Sequence, residues 1–245
     1  MKKIALILGG GSGKRAGGPT PKQFQRIARK PLLYWCMKAF KDTDPDTDIW
    51  LVLPRDHMDD WMHMITSPSM TNTFAHRFVE GGMTRAESVR AGLTGIAAAL
   101  REQGVDPAEA LIMVHDAARP LLEPEMVRRG LAAVERGAIA VPALHCVNSL
   151  RELWGYDDHD LTRAGSKSVD RSRYVEVQTP QIAYFNDLRA AYAVARDLTR
   201  FTDDASLMEG AGMKVNLYHG SPENIKVTHP IDFEIAKTVL KARKM

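Results

Sequence analysis

Residues 4–15 read Ile-Ala-Leu-Ile-Leu-Gly-Gly-Gly-Ser-Gly-Lys-Arg, an apolar run that passes directly into a glycine-rich turn and two cations. A short apolar run bounded by a turn signal is typical of a fully buried strand. Because glycine has no side chain, a turn built from it lets backbone N–H groups approach a phosphate. The stretch therefore predicts a first buried strand with a phosphate-binding loop at its carboxyl end.

Further apolar runs of strand length follow, and most are separated by helical stretches. The runs lie at residues 49–53, 74–79, 111–114, 138–141 and 215–218. The helical stretches lie at 32–40, 86–100 and 124–135, two of them with proline near the start. This alternation predicts an α/β fold whose mostly parallel central sheet is covered by helices. We expect all 245 residues to form one domain, since a chain of this length buries one full-sized core.

One segment, residues 144–177, departs from the alternation. Short β-like pieces at 147–153 and 168–177 flank a polar turn that contains three aspartates. A connection this long is uncommon in a compact domain unless it is functional or packs on something else. We expect a protruding β-arm that reaches a second subunit, and a solvated hairpin is the alternative.

Composition and charge narrow the class of partner. The net charge is +3, with lysine and arginine interleaved among acidic residues, which favours a small anionic ligand over a nucleic acid. Cys36 and Cys146 form no metal-binding or disulfide pattern, and no apolar stretch approaches the roughly 20 residues of a membrane span. We therefore expect a cytoplasmic protein without membrane or nucleic-acid partners. A non-catalytic nucleotide- or RNA-binding module is the remote alternative, but the basic stretches lack interleaved aromatic residues.

The type of phosphate loop can be narrowed by elimination. A Walker A loop requires glycine and serine or threonine at the positions that Leu8 and Arg15 occupy. A dinucleotide-binding G-x-G-x-x-G that starts at the first glycine of the turn meets Lys14 at its third glycine, and one that starts at the third meets Ala16. Both motifs are disfavoured.

What remains is a glycine-rich turn with a cation, followed after a short gap by Pro-Lys-Gln. Arg15 and Lys22 suit a reaction in which negative charge accumulates on a transferring phosphorus while pyrophosphate leaves. A turn with solvated basic residues is the alternative. The candidate nucleotide-binding residues of the turn are Gly9, Gly10, Gly11, Ser12 and Gly13.

A second glycine turn precedes the helical stretch at 86–100. Thr84 and Glu87 have the spacing of a capping box, so half of this motif has a structural explanation. We expect Gly81, Gly82 and Ser88 to contact the base or ribose of a nucleotide through the main chain and the hydroxyl.

Two later motifs carry charged residues at strand ends. Asp116 follows a buried strand, where ligands bind in open α/β sheets, and its carboxylate can hold Mg²⁺ or a substrate hydroxyl. A local ion pair between Asp116 and Arg119 is the structural alternative.

Lys226 and Thr228 share one side of an extended stretch, and Lys226 is a second phosphate cation. Asp232 is better explained by the first turn of a helix than by ligand binding.

A cluster of His57, Asp59, Asp60 and His63 has residue types that could bind a metal. The two histidines are six residues apart, which does not place them on one helical face. The cluster therefore predicts a solvated helix.

Together these motifs resemble the 2-C-methyl-D-erythritol 4-phosphate cytidylyltransferases of the non-mevalonate isoprenoid pathway, over nearly the whole chain. The matching motifs are the glycine-rich loop with Arg15, Pro21-Lys22-Gln23, Gly81-Gly82 with Arg85 and Ser88, and residues 115–120, 169–171, 178–181, 202–206 and 224–228. The resemblance implies a Rossmann-like nucleotidyltransferase fold and a homodimer whose β-arm reaches the neighbouring active site.

The resemblance also implies roles for individual residues. Arg15, Lys22 and Lys226 would bind the triphosphate and stabilise the transition state. Asp116 would bind the acceptor, while Ser149 and Arg171 of the partner's arm would hold the acceptor phosphate. The remaining expected substrate-binding residues are Arg119, Thr202 and Thr228. Mg²⁺, or another divalent cation, would be held largely by the phosphates of CTP, with Asp116 as its candidate protein ligand.

Several positions depart from the usual family pattern. Met83 replaces an acidic residue near the nucleotide, Ala16 replaces methionine, and Leu8-Gly9-Gly10 stands where many members have Pro-Ala-Ala. Asn148-Ser149 stands where Asp-Thr is frequent. The ribitol 5-phosphate cytidylyltransferases share most of these motifs and give the alternative acceptor.

Overall fold

The computed structural model describes residues 1–10, 20–67, 70, 73–155 and 161–243. Within those residues the strands are β1 Lys2–Leu8, β2 Arg26–Ile27, β3 Lys30–Pro31, β4 Asp48–Leu53, β5 Arg77–Glu80, β6 Ala110–Asp116, β7 Ala138–His145, β8 Arg151–Trp154, β9 Gly165–Ser168, β10 Val175–Val177, β11 Gln181–Tyr184 and β12 Lys214–His219. The α-helices are α1 Leu32–Thr43, α2 Arg55–Ile65, α3 Arg85–Glu102, α4 Pro124–Ala133, α5 Phe185–Val194, α6 Asp204–Gly210 and α7 Pro230–Ala242.

The main sheet has the order β10-β7-β11-β6-β1-β4-β5, with β12 beside β7. The pairs of β1 with β4 and β6, of β4 with β5 and of β7 with β12 are parallel. Only β10 and β11 run antiparallel to their neighbours among the strands of this sheet that the structure describes. The predicted α/β fold with a mostly parallel, helix-covered sheet is confirmed.

The predicted strands differ from the observed ones mainly at their ends. The run at 74–79 forms a strand only from Arg77, and the predicted helix at 124–135 ends at Ala133. Strand β11, whose four residues provide too short a pattern, and the helices α5 and α6 are not predicted from the sequence. The cluster at 57–63 lies on α2, and Asp59, Asp60 and His63 are exposed, as predicted. His57 departs from the prediction because it is half-buried against Gln23 and Phe24.

Strand β1 is the centre of the core because both of its faces are covered. Ile4 and Leu6 pack in one apolar cluster with α3, and Ile7 packs in another with Phe40 of α1. Gly92 of α3 lies so close that an added Cβ would come within 2.6 Å of Leu6. Burial on both faces explains why β1 is apolar at every position from 4 to 8.

The segment at 144–177 is built differently from the rest of the sheet. Its strands β8 and β9 form a separate antiparallel ladder, while β10 joins the edge of β7. Val147 is 80% exposed, Trp154 54% and Tyr174 48%. That this segment forms a protruding arm, and that it contacts a second subunit, both stay predictions. Among the helices that the structure describes, none combines the length and apolarity that a membrane span requires.

Candidate active site

A cavity of about 410 Å³ opens at the carboxyl ends of the parallel strands. In the sheet register Leu8 of β1 lies beside Asp116 of β6, so Gly9 and Gly10 follow β1 at the level where β6 ends. The predicted site residues that line this cavity are Gly9, Gly10, Lys22, Gly82, Ser88, Asp116 and Lys226. The fold therefore gathers into one place residues that are up to 217 positions apart in the chain.

The glycines at the strand ends are required by close packing. The N–H of Gly9 donates to the carbonyl of Val52 at 2.8 Å, and that of Gly81 donates to Leu53 at 2.9 Å. A Cβ at Gly9 would lie 2.4 Å from Cδ2 of Leu53, and one at Gly81 would lie 3.0 Å from Oγ of Ser88. Since both N–H groups are already bonded within the sheet, they are not available to a phosphate in this arrangement.

The second glycine turn begins α3 with the predicted capping box. Oγ1 of Thr84 accepts from the N–H of Glu87 at 3.1 Å, and a Glu87 carboxylate oxygen accepts from the N–H of Thr84 at 2.9 Å. Ser88 is buried, and its hydroxyl donates to the carbonyl of Thr84 at 2.9 Å. Because the Ser88 hydroxyl already donates its proton, its oxygen can only accept a hydrogen bond from a ligand.

Asp116 is the charged centre of the cavity. Its Oδ2 lies 2.8 Å from Nζ of Lys226, and its Oδ1 lies 3.5 Å from Nε of Arg85. Burial by itself would raise the pKa of Asp116, but the charges of Arg85, Lys226 and Arg119 outweigh burial and hold this pKa well below its usual value. Asp116 is therefore a permanent carboxylate at the edge of the sheet.

Arg85 pairs with a buried carboxylate, Asp204, whose position the sequence does not predict. Its Nη2 lies 2.7 Å from Oδ2 of Asp204, and the hydroxyl of Tyr192 donates to Oδ1 of Asp204 at 2.7 Å. Burial and the charge of Asp204 raise the pKa of Tyr192, which keeps this hydroxyl protonated. The motif at 202–206 was the available signal, but it does not reveal that Asp204 faces Arg85.

His115 is fully buried beside Asp116 and acts as a neutral bridge. Its Nε2 lies 3.0 Å from the carbonyl of Arg119, so Nε2 carries the proton and donates. Its Nδ1 accepts from the hydroxyl of Thr179 at 2.9 Å, and Oγ1 of Thr179 accepts from the N–H of Asp116 at 3.2 Å. Burial lowers the pKa of His115 to about 4, so these bonds fix the end of β6 at neutral pH.

Lys22 approaches the cavity from a short 3₁₀ turn, Lys22–Phe24. Its Nζ donates to the carbonyl of Val227 at 3.1 Å, and the N–H of Val227 donates to the carbonyl of Ala118 at 2.8 Å. The segment that carries Lys226 is thereby tied both to Lys22 and to the loop after β6. Two of the three predicted phosphate cations, Lys22 and Lys226, consequently face the same cavity.

Arg119 does not take the local ion pair that the sequence left open. Its Nη1 donates to the carbonyl of Asn224 at 2.8 Å, and in the described part of the chain Asp116 pairs instead with Arg85 and Lys226. Asn224 is fully buried, and its amide donates to the carbonyl of Thr179 at 2.9 Å. Arg119 therefore braces the segment before Lys226.

Other predicted site residues lie elsewhere or outside the described residues. Ser149, Arg171 and Thr202 are exposed and are not among the residues that line the cavity. The Thr228 hydroxyl donates to the carbonyl of Lys226 at 3.0 Å. Gly11, Ser12, Gly13 and Arg15 lie outside the described residues.

Asp232 accepts from the N–H groups of Thr228 and His229 at 2.7 Å, which is the predicted first-turn role.

The donors for a metal ion are sparse at this site. No group of three or more histidine, cysteine, aspartate or glutamate side chains is arranged to hold a metal within the described ranges. Each carboxylate oxygen of Asp116 already faces a cation. A divalent ion here would therefore need most of its ligands from a bound phosphate.

The chain matches a known protein family over almost its whole length. The family model for 2-C-methyl-D-erythritol 4-phosphate cytidylyltransferase matches residues 3–242. The chain belongs to this family. It is accordingly an enzyme, a nucleotidyltransferase of the cytidylyltransferase kind, and the resemblance noted in the sequence is confirmed.

The similarity extends over whole chains. The chain is 36% identical over 241 residues to the 2-C-methyl-D-erythritol 4-phosphate cytidylyltransferase of Bacteroides thetaiotaomicron, covering 98% of this chain and 100% of that protein. It is 40% identical over 243 residues to that of Porphyromonas gingivalis, with 98% of each covered. The crystal structure of the Thermus thermophilus enzyme matches with a TM-score of 0.68 at 30% identity, covering 97% of this chain and 98% of that one.

Proposed function

We propose that this enzyme transfers CMP from CTP to 2-C-methyl-D-erythritol 4-phosphate, giving 4-diphosphocytidyl-2-C-methyl-D-erythritol and pyrophosphate. The observation that carries the proposal is the convergence of Lys22 and Lys226 on one cavity beside the permanent carboxylate of Asp116. Two cations suit a triphosphate, and a carboxylate suits the hydroxyls of a polyol. Membership of the family supports both substrates.

In this mechanism a phosphate oxygen of the acceptor attacks the α-phosphorus of CTP in line with the departing pyrophosphate. A phosphate monoester dianion is already nucleophilic, so the enzyme supplies no general base. Arg15, Lys22 and Lys226 stabilise the charge that develops on the phosphoryl oxygens, and Asp116 orients the acceptor. Catalysis then consists of positioning and charge stabilisation.

A Mg²⁺ ion, or another divalent cation, would be held mainly by the phosphates of CTP. Asp116 is the protein ligand that we propose for it, in keeping with the usual binding of Mg²⁺ through one or two carboxylates plus substrate phosphates. The ion would neutralise phosphate charge as pyrophosphate leaves. For Asp116 to reach it, Nζ of Lys226 would have to move from its 2.8 Å contact towards the triphosphate.

We also propose a homodimer in which the arm at 144–177 completes the neighbouring site. Ser149 and Arg171 are exposed, and neither is among the residues that line the cavity of their own chain. The arm also exposes Val147 and Trp154, apolar side chains that a second subunit would cover. The reduced cysteines Cys36 and Cys146 suit the cytoplasmic location that we propose for this dimer.

The decisive experiment measures pyrophosphate release with each of the four nucleoside triphosphates, each combined with 2-C-methyl-D-erythritol 4-phosphate or ribitol 5-phosphate. We expect CTP with the methylerythritol phosphate to give the highest kcat/KM, because a site built around particular hydroxyls rejects analogues that leave polar groups unpaired. Equal or better turnover of ribitol 5-phosphate would replace the acceptor. Salt-dependent binding of a polynucleotide without turnover of CTP would instead favour the non-catalytic module.

A further inference from the structure

The turn that carries Lys22 is docked on α2 through the next two residues. Gln23 is only 1% exposed, and its Nε2 lies 3.1 Å from Nδ1 of His57 in the first turn of α2. Phe24 stacks on Trp61 with 5.7 Å between ring centroids and meets the His57 ring edge-on at 5.8 Å. One hydrogen bond and two ring contacts therefore fix the position and the orientation of this turn on α2.

The other side of the turn faces the catalytic cavity. Lys22 and Gln23 both line it, and Nζ of Lys22 donates to the carbonyl of Val227. A 3₁₀ turn of three residues has no long hydrogen-bonded ladder of its own, so its orientation depends on what it docks against. The side chain of Gln23 is the polar link between the base of Lys22 and a regular helix.

The hydrogen bond between Gln23 and His57 defines the role of the histidine. The amide nitrogen of Gln23 is the donor in this bond, so Nδ1 of His57 is the acceptor. The atom that matters is thus an acceptor at the Nδ1 position. Asparagine presents its amide oxygen at the same distance from the backbone, whereas glutamine places it one bond further out.

We infer that His57 is a positioning residue for Lys22, acting through the side chain of Gln23. It touches no substrate in this role. It holds the turn so that the Lys22 ammonium lies where charge develops during phosphoryl transfer. The inference deepens the proposed function, because it rests on the role assigned there to Lys22.

The test compares three substitutions at position 57 in the full-length enzyme. His57→Ala should lower kcat about 10- to 100-fold while KM for CTP changes by less than about threefold, because a misplaced catalytic group costs rate more than ground-state binding. His57→Asn keeps an acceptor at the Nδ1 position, so its kcat should stay within about threefold of that of the unsubstituted enzyme. His57→Gln should resemble the alanine variant.

Two controls separate positioning from general damage. His63→Ala removes an exposed histidine from the last turn of the same helix and should leave kcat and the melting temperature unchanged. The double variant Lys22→Ala with His57→Ala should have the same kcat as Lys22→Ala, since His57 has no further effect once Lys22 is gone. A merely structural role would lower kcat again in the double variant.

Each result decides the matter. Full kcat in His57→Ala, equal loss in the alanine and asparagine variants, or additive losses in the double variant would each overturn the inference. If the alanine variant does not fold, the comparison of asparagine with glutamine makes the same decision. If Lys22→Ala keeps full kcat, the proposed role of Lys22 is wrong. If Lys22→Ala loses kcat but His57→Ala keeps it, only the inference about His57 is wrong.

Discussion

Nη2 of Arg85 lies 2.7 Å from Oδ2 of Asp204, a carboxylate that is completely buried. The second oxygen of Asp204 accepts from the hydroxyl of Tyr192, so this charge is fully paired. The same guanidinium faces Asp116 at 3.5 Å. A chain of one hydrogen bond and two ion pairs thus runs from Tyr192 of α5 through Asp204 and Arg85 to Asp116, the carboxylate that we assign to the acceptor.

Breaking this pair should be costly for folding. Asp204→Asn leaves Arg85 largely buried without its main partner, and we expect a loss of about 3–5 kcal/mol in the free energy of unfolding. Urea denaturation measures it. The matched control is Lys38→Ala, which breaks the half-exposed pair with Asp42 and should cost less than about 0.5 kcal/mol. A loss below about 1 kcal/mol in Asp204→Asn would show that the pair does not support the fold.

Stability should depend on pH through His115. Its pKa is lowered to about 4 from 6.5, so the folded state resists protonation that the unfolded state accepts. The contribution of His115 to the free energy of unfolding is therefore complete above pH 6.5. It is lost as the pH falls from 6.5 towards 4, and the loss is at most about 3 kcal/mol. Burial also lowers the pKa of His76, which adds to the same slope.

The variant His115→Gln tests this assignment. It should be less stable at pH 7, and its unfolding free energy should fall less steeply between pH 6.5 and 4 than that of the unsubstituted protein. His63→Ala serves as the control for the loss of an exposed histidine. An unchanged slope in His115→Gln would assign the pH dependence to other groups.

Lys22 should act on rate more than on binding. Lys22→Ala should lower kcat by roughly 10²- to 10³-fold, as does the loss of a preorganised donor that stabilises transition-state charge. Steady-state kinetics with CTP as the varied substrate measures the effect. Lys237→Ala, an exposed substitution on α7, is the control for loss of a positive charge. Near-normal kcat with a raised KM would mean that Lys22 only binds the nucleotide.

The proposed arm can be tested by mixing two inactive variants. In a heterodimer of Lys22→Ala with Arg171→Ala, one site collects both defects if the arm crosses, and the other site collects neither. Random exchange makes about half of the dimers heterodimers, so activity should recover to roughly a quarter of the unsubstituted level. Tagged subunits verify the exchange. If exchange occurs and activity stays at the level of the parents, Arg171 serves its own subunit or a solvated hairpin.

Features encoded by neighbouring residues could be predicted from the sequence. The unbroken apolar run at 4–8 predicts a strand buried on both faces, and the spacing of Thr84 and Glu87 predicts the capping box that begins α3. The position of Asp116 at the end of an apolar strand predicts its place at the ligand-binding edge of a parallel sheet. These signals span a few residues, so periodicity and capping preferences suffice to identify them.

The tertiary structure alone decided which polar and charged groups of the site meet. Arg85 and Asp204 are 119 residues apart, and Lys22 and Val227 are 205 apart, so no local pattern relates them. Their contacts follow from the strand order, which places β6 beside β1, and from the docking of helices on both faces of the sheet. The sequence by itself determined the fold class and the residue types of the site. Packing decided that Asp116 faces Arg85 and Lys226 instead of Arg119, because only the folded chain sets these distances.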